Sequence, residues 1–570
     1  MKDFTTRLTV YMAILLIFPQ ASFSQEVKVS GAEKSRMHHE VPDQEYLAPQ
    51  SATPKTSPSP QVRGAGFFTK QVNVDINGDN IIGDAANEPS IAVDPVNPDK
   101  MVIGWRQFDN VGSNFRQAGY GYSSDGGQTW TFPGVIDPMV FRSDPVLGFD
   151  ADGKFYYNSL TNITGFYTCT VYKSINGGAG WDQGTDARGG DKQWMAIDRT
   201  SGQGNGNIYS CWNASFSSCL PGFFTRSANG GASYEDCIEV DGYPYWGTMA
   251  VGPSGELYIS GAGSFDGATV IKSNNVQIPG STIGWDYVTQ VGLDGYIVGQ
   301  DPINPVGILG QVNVGVDHSN GPGHGNVYVL ASVARISSAD PADVMFARST
   351  DGGATFDPPK RINTDVSTLN YQWFGTMSVA PNGRIDVIWL DTRDDFPGSF
   401  MSALYYCYSE DQGETWSINK RLSDSFDPTV GYPQQAKMGD YFDMVSDNDG
   451  AHLAWANTLN GEQDVYYTHI ISTIVGMNEN QENNELFSLT ASPNPFRDHA
   501  EIRYKLPNSG NVKMVICDLY GVVKRTLVDK DQPAGARSVT FYDKSLPPGF
   551  YICRLSFGSH TNTTRLIKLK

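Results

Sequence analysis

Charge is scarce in this chain of 570 residues, and it leans one way: 18% Asp, Glu, Lys and Arg, with 61 acidic against 41 basic residues and a formal charge of -20. No basic face can be gathered from that balance, which argues against a nucleic acid or an anionic membrane as partner. Solubility is explanation enough for the acidity. Histidines number 8, scattered, with no H-E-x-x-H or comparable zinc spacing. The 7 cysteines (Cys169, Cys211, Cys219, Cys237, Cys407, Cys517 and Cys553) are an odd set without a C-x-x-C pair. No G-x-S-x-G and no phosphate-binding glycine loop occurs. After the start of the chain, no apolar run reaches the roughly 18 residues of a membrane helix, so no transmembrane helix is expected.

The start itself reads MKDFTTRLTVYMAILLIFPQASFSQ. Lys2 and Arg7 precede an apolar run from Leu8 to Phe18, and Ser22 and Ser24 are small. This is the form of a secretory signal peptide over residues 1–24. Export permits disulfides, and Cys211, Cys219 and Cys237 lie close enough in sequence for one local bridge. Residues 25–66 include APQSATPKTSPSPQVRGAG, rich in Pro, Ser and Gly without an apolar period, and read as a disordered linker. Residues 67–475 are β-rich and repetitive. Residues 476–485 are a polar spacer, and 486–570 form a separate small β-domain.

What the chain has in quantity is glycine (61) and aromatic residues (12%), a composition for short strands and tight turns. One turn recurs: SSDGGQTW at 123, SINGGAGW at 174, SANGGASY at 227, STDGGATF at 349 and SEDQGETW at 409. Its equivalent positions are Asp125, Asn176, Asn229, Asp351 and Asp411, separated by 51, 53, 122 and 60 residues. The double interval hides a unit, whose eroded turn is read at KSNN (272–275) with Trp285 after an insertion. A hairpin opens each unit, as in IAVDPVNPDKMVIGW (91) and MSVAPNGRIDVIWLD (377), and seven such hairpins are found. A third strand, the turn and a fourth strand follow. Four short antiparallel strands at such a period fit a β-propeller blade. The last unit lacks its fourth strand, which FFTKQVNVD (67–75) is placed to supply, closing the ring.

S-x-D-x-G-x-T-W resembles the Asp box, or bacterial neuraminidase repeat, of sialidases and other propeller families. The resemblance implies that the five turn residues are structural and lie on the face away from any active site. Sialidases have six blades and an early R-I-P motif; seven units are counted here and no R-I-P occurs. The fold expected is all-β: a propeller of seven blades, six as the alternative, followed by a small β-sandwich.

In a propeller the loops that enter first strands and leave second strands share one face. Here they offer Glu88, Arg142, Asp144, Asp191, Lys192, Trp194, Tyr245, Trp246, Trp373, Phe374, Asp440 and Tyr441 on entry. On exit they offer Trp105, Arg106, Trp212, Asn213, Trp389, Asp391, Arg393, Trp455 and Asn457. Arginine forks suit carboxylates and flat rings suit sugars. Arg106, Arg142 and Arg393 are therefore the candidate anion clamp, with Trp194, Trp212, Trp246 and Trp373 as the binding platform. Each of these residues has a structural alternative, core packing for the tryptophans and local ion pairs for the arginines. Most glycosidases need two carboxylates and sialidases a tyrosine nucleophile, so Asp144, Asp391, Asp440 and Tyr441 are the catalytic candidates. Asp440, Asp443, Asp447 and Asp449 admit calcium, but DNDG (447–450) is a hairpin turn where Asp serves the backbone. No cofactor or metal is assigned.

The tail carries SPNPF (492–496), EIRYKLP, VKMVICDLYG, AGARSVTFYD, LPPGFYICRLSFG and a basic RLIKLK. It resembles the type A C-terminal sorting domain of type IX secretion in Gram-negative bacteria. That resemblance implies export by the type IX machinery to the medium or the outer-membrane surface. The expected function is a sialidase-like propeller acting as a glycoside hydrolase on extracellular glycans or glycoproteins. The alternative is a non-catalytic glycan- or protein-binding propeller, an adhesin or envelope component.

Overall fold

The computed structural model of the chain describes residues 43–49, 54–64, 66–163, 166–263, 266–471, 489–506, 508–517, 523–543, 546–557 and 560–569. The segments 1–24 and 476–485, read from sequence as a signal peptide and a polar spacer, lie outside the described residues. Contacts divide the chain into two compact units, Met1–Arg63 with Phe68–His469, and Gly64–Phe67 with Ile470–Lys570. The protein is all-β: among the described residues the only helical element is one 3-10 turn, Ala214–Phe216.

Between residues 61 and 471 the chain makes seven antiparallel sheets of three to five strands, besides two short two-stranded ribbons. Their first strands are Ala85–Val93, Ser143–Phe149, Trp194–Ile197, Met249–Val251, Asn313–Val316, Gln372–Val379 and Asp443–Ser446. Each first strand touches the next, and the seventh touches the first, so the contacts form a closed cycle. Ala85–Val93 and Met101–Phe108 are buried at every position. A strand packed on both faces has no solvent side, so its sequence runs apolar instead of alternating. Hydrogen bonds stitch the cycle: Ser90 Oγ donates to Asp443 of the seventh sheet at 2.5 Å and accepts from Leu147 N of the second at 2.9 Å. Phe67–Gln71 pairs with Asp464–Ile471, so the early strand joins the last sheet.

The recurrent turn has one hydrogen-bond scheme. Asp125 Oδ1 accepts from Thr129 N at 2.9 Å, its Oδ2 from Thr129 Oγ1 at 2.6 Å, and Ser123 Oγ from Gly127 N at 2.9 Å. Asp351 and Asp411 repeat it with Thr355 and Thr415. Asn176 and Asn229 keep the bond to the backbone of Gly180 and Ser233. In the eroded unit Asn275 Oδ1 reaches Gly284 N at 2.9 Å across a longer loop. The aromatic that ends a turn packs on the preceding sheet: Trp130 on Tyr467, Trp181 on Tyr120, Trp285 on Phe224 and Trp416 on Phe346. These turns therefore staple sheet to sheet.

Two expectations need correction. The segment 25–66 is not wholly a disordered linker. Lys55–Ser57 pairs with Asn80–Ile82, Gln61–Gly64 adds to the seventh sheet, and residues 43–49 are held by polar contacts described below. Side-chain and backbone hydrogen bonds order it without an apolar period. The third sheet has three strands, not four. Its outer edge is reduced to the bridge Phe224–Ile238, beside the single disulfide, Cys219–Cys237.

The C-terminal residues form a three-stranded and a four-stranded antiparallel sheet that share one core, including Phe496, Ile502, Met514, Ile516 and Leu555. Here burial alternates along His499–Leu506, the period-two signature of a sheet with one wet face.

Gly127 has φ +79°, and a Cβ there would stand 2.2 Å from Tyr467 Cε1; Gly78 has φ +84° with nothing within 4 Å. Both alanine substitutions meet the left-handed penalty, but only the first meets a neighbouring sheet. Gly127→Ala is expected to cost about 3 kcal/mol and Gly78→Ala about 1 kcal/mol. Urea or thermal midpoints check this, and equal shifts would contradict the stapling role.

Candidate axial site

The entries to five of the seven first strands are kinked. Glu88, Asp144, Lys192, Trp246 and Phe374 all take positive φ, between 47° and 56°. Each stands six residues before the residue opening its hairpin: Asp94, Asp150, Asp198, Gly252 and Ala380. A non-glycine residue held there costs of order 1 kcal/mol or more, and persists only where its surroundings over-determine it. At Glu88 the kink is a bulge: Asn87 pairs with Arg106 and Ser90 with Gly104, leaving Glu88 and Pro89 out of the ladder. The kinked positions of the first three sheets carry charge, and those of the fourth and sixth carry aromatic rings.

The charged ones meet. Lys192 Nζ lies 3.1 Å from Asp144, 3.5 Å from Asp191 and 2.7 Å from Asp440. Lys437 Nζ lies 2.6 Å from Asp440 and 3.3 Å from Glu88, and Arg106 Nε 3.2 Å from Glu88. All seven side chains are buried. Glu88 is fully buried beside Arg106 and Lys437; all of them but Glu88 line a small cleft of about 30 Å³, together with Arg116, Trp246 and Gln435. Over it lies the ribbon Gly299–Asp301 with Asn304–Ile308, whose Gln300 and Ile308 complete the lining. Asn304 latches that ribbon by accepting from Met438 N at 2.9 Å and donating to Gly439 O at 2.9 Å. Asp440 Oδ1 accepts from Ile308 N at 3.0 Å.

Burial and charge pull these groups apart in acidity. Burial pushes Glu88 up to about 7, against the pull of Arg106 and Lys437. Burial would raise Asp144 and Asp440 too, but Lys192 opposes it in both and Lys437 assists, holding each below the usual carboxylate range. Burial alone would lower Lys192; Asp144, Asp191 and Asp440 reverse that and keep it charged. One carboxyl thus keeps its proton near neutrality beside carboxylates that do not, the arrangement from which acid and base roles divide.

The expected site residues separate into two sets. Asp144, Asp440, Arg106 and Trp246 line the cleft. Trp194 and Tyr441 line a second, smaller cavity together with Phe374 and Phe442, ring against ring at 5.4 Å. The three arginines do not form one clamp. Arg142 is bound to Asp137 at 2.7 Å and Thr170 at 2.9 Å; Arg393 to Asp391 at 2.6 Å, with its guanidinium 4.6 Å over the Tyr405 ring. Each is held by partners near it in sequence or in the adjoining connection. Asp391 is likewise saturated, accepting from Trp389 Nε1, Arg393 N and Gln372 Nε2. Tyr441 donates its hydroxyl to Pro145 O at 2.8 Å, and burial raises its phenol well above the ordinary value. Trp212 and Trp373 are core residues, Trp373 packed on Phe374 at 4.5 Å. The four carboxylates read for calcium disperse: Asp443 binds Ser90, and Asp447 binds the amides of Asp449 and Gly450. Among the described residues no group of three ligating side chains could hold a metal ion.

Lys437, Arg116, Gln435 and the covering ribbon are absent from the sequence-based expectation. Glu88 and Lys192 were legible as entry-loop residues, and aligning the seven hairpins puts both in one column. Lys437 and the ribbon lie in connections that share no motif.

No protein-family model matches the chain, and no curated protein matches it. Among solved structures, a protein of unknown function from Dyadobacter fermentans is similar at 14% identity and TM-score 0.42, covering 71% of this chain and 98% of its own. The sialidase of Trypanosoma rangeli is similar at 10% identity and TM-score 0.36, covering 89% of each chain. PorZ, a surface component of the type IX secretion system of Porphyromonas gingivalis, is similar at 11% identity and TM-score 0.29, covering 83% of this chain and 69% of its own. Likeness at this level assigns no activity.

Glu88 keeps its proton in the folded chain up to about pH 7, whereas an unfolded glutamate loses it near about 4.3. Between those values the native state binds the extra proton, so stability falls as pH rises through that window. Glu88→Gln removes the slope. The variant is expected to gain about 1–3 kcal/mol more over the parent at pH 8 than at pH 4. Urea midpoints at the two pH values measure this; a pH-independent difference would refute the assignment.

Proposed function

We propose that the seven-sheet cycle is a seven-bladed β-propeller of the Asp-box kind, carrying a small β-sandwich that serves as a type IX sorting domain. Its site is the axial cleft, and its activity is glycoside hydrolysis on extracellular glycans or glycoproteins at a Gram-negative cell surface or in the medium. The observation that carries the catalytic reading is the divergence of Glu88 from Asp144 and Asp440. Glu88, whose acidity burial shifts up to about 7 so that it exchanges a proton near neutral pH, is the proton donor to a departing glycosidic oxygen. Asp144 or Asp440, kept ionised by Lys192, is the carboxylate that meets positive charge developing at the sugar. Trp246 offers the cleft's aromatic face for stacking. Tyr441 is not assigned as nucleophile, because its hydroxyl is committed to a backbone carbonyl.

A second reading, a non-catalytic glycan-binding protein, is favoured by one observation: every carboxylate of the cluster already has a cation beside it. Such a network can serve purely to hold the mouth together.

A panel of glycosides and polysaccharides assayed for released sugar separates the two. Glu88→Gln is expected to lower turnover about 10²–10⁴-fold while the variant stays folded, with a melting point at pH 8 no lower than the parent's. Saturable binding by the parent chain with no released sugar selects the second reading.

A further inference from the structure

Residues 43–49 lie against the cleft's edge, within the same compact unit. Asp43 Oδ1 is 3.3 Å from Arg116 Nη1, and its Oδ2 accepts from Asn162 Nδ2 at 3.0 Å. Gln44 and Asn114 exchange two hydrogen bonds of 2.8 Å, each side chain accepting from the other's backbone N–H. Gln44 Nε2 also donates to Gln434 at 3.3 Å, next to the cleft residue Gln435. Tyr46 packs edge-on to Phe115 at 5.5 Å and donates to Asp109 at 3.2 Å. Asn110 Nδ2 and Ser113 Oγ donate to the carbonyls of Ala48 and Glu45.

Arg116 is what makes this contact more than surface adhesion. Its side chain is buried to 6% exposure, it lines the cleft, and among the described residues Asp43 is the carboxylate paired with it. Its Nε donates to Ser143 Oγ at 3.0 Å, and Ser143 Oγ donates to Asp144 at 2.5 Å. An unbroken polar chain therefore runs from Asp43 through Arg116 and Ser143 to Asp144 and on to Lys192. The strap is fastened mainly by polar contacts and buries little apolar surface: Leu47 is 46% exposed.

We infer that residues 43–49 are an internal ligand, and that Arg116 with Asn162 forms a carboxylate subsite that Asp43 fills in the resting chain. An incoming ligand bearing a carboxylate takes that place and displaces the strap. This rests on the cleft being the ligand site, but not on its being catalytic. A site competent in one molecule in ten binds with an apparent affinity reduced about tenfold. Unfastening the strap should recover that factor.

The test is calorimetric titration of the full chain with glucuronate, and with glucose as the neutral probe. Asp43→Asn, and the double substitution Asp43→Asn with Gln44→Ala, are expected to tighten glucuronate binding about tenfold and leave glucose unchanged. Adding Arg116→Gln should erase the gain, while Arg116→Lys, which keeps the charge without the fork, should retain part of it; melting curves verify the fold. Equal glucuronate affinity in the parent and both strap variants overturns the inference. So does a gain that survives Arg116→Gln or is shared by glucose. Because binding is read without turnover, a chain that cleaves nothing can still pass, and an active hydrolase can still fail.

Discussion

A strand buried on both faces has no place for a charge except its end. That constraint organises the larger unit. The first strands of the seven sheets touch in a closed cycle and are walled by their neighbours. Ionisable side chains on them must collect where the strands begin, or be paired inside at high cost. The positive-φ kink at Glu88, Asp144 and Lys192 is the local means. It lifts one residue per sheet out of the ladder and turns it toward the same small volume.

Electroneutrality then decides what that volume can do. Lys192 alone would be expensive to bury, and so would any one of its carboxylates. Together they hold one another ionised. Glu88 is shared between Arg106 and Lys437 at 3.2–3.3 Å, longer than the Asp440 contacts, and burial wins there. Glu88 and Asp440 each have two cations beside them and differ in contact distance, 3.2 and 3.3 Å against 2.7 and 2.6 Å. The opposite end of the first six sheets is occupied by the recurrent turn or its eroded form, and aromatic residues there pack onto the preceding sheet, as Trp130 and Trp416 do. Rigidity at that end leaves the cleft as the place where connections vary: the Gly299–Ile308 ribbon, the loop through Lys437, and the strap at Asp43.

Much of the fold was legible because it repeats. Asp125 and Asp351 announce turns by residue type alone, and even Asn275, nine positions before its partner Gly284, keeps the scheme. Glu88, Asp144 and Lys192 were legible as a column once the hairpins were aligned. The clamp of Arg106, Arg142 and Arg393 was a plausible column of the same kind, and it failed for a local reason. Asp137 and Asp391 lie near Arg142 and Arg393 in sequence, and a short-range partner wins over a distant assembly.

The sequence by itself determined the strands, the turns, the number of hairpin units and the short list of residues at strand entries, because all of these are encoded over a few neighbouring positions. Only the tertiary structure decided which of those residues meet. Lys437 comes to Glu88 from the far end of the seven-sheet cycle, Asp43 comes to Arg116 from a stretch with the composition of a linker, and Asp391 is taken out of contention by a partner two residues away. Pairings of that range follow from ring closure and from the energy of buried charge. Neither quantity is written in any window of sequence short enough to read.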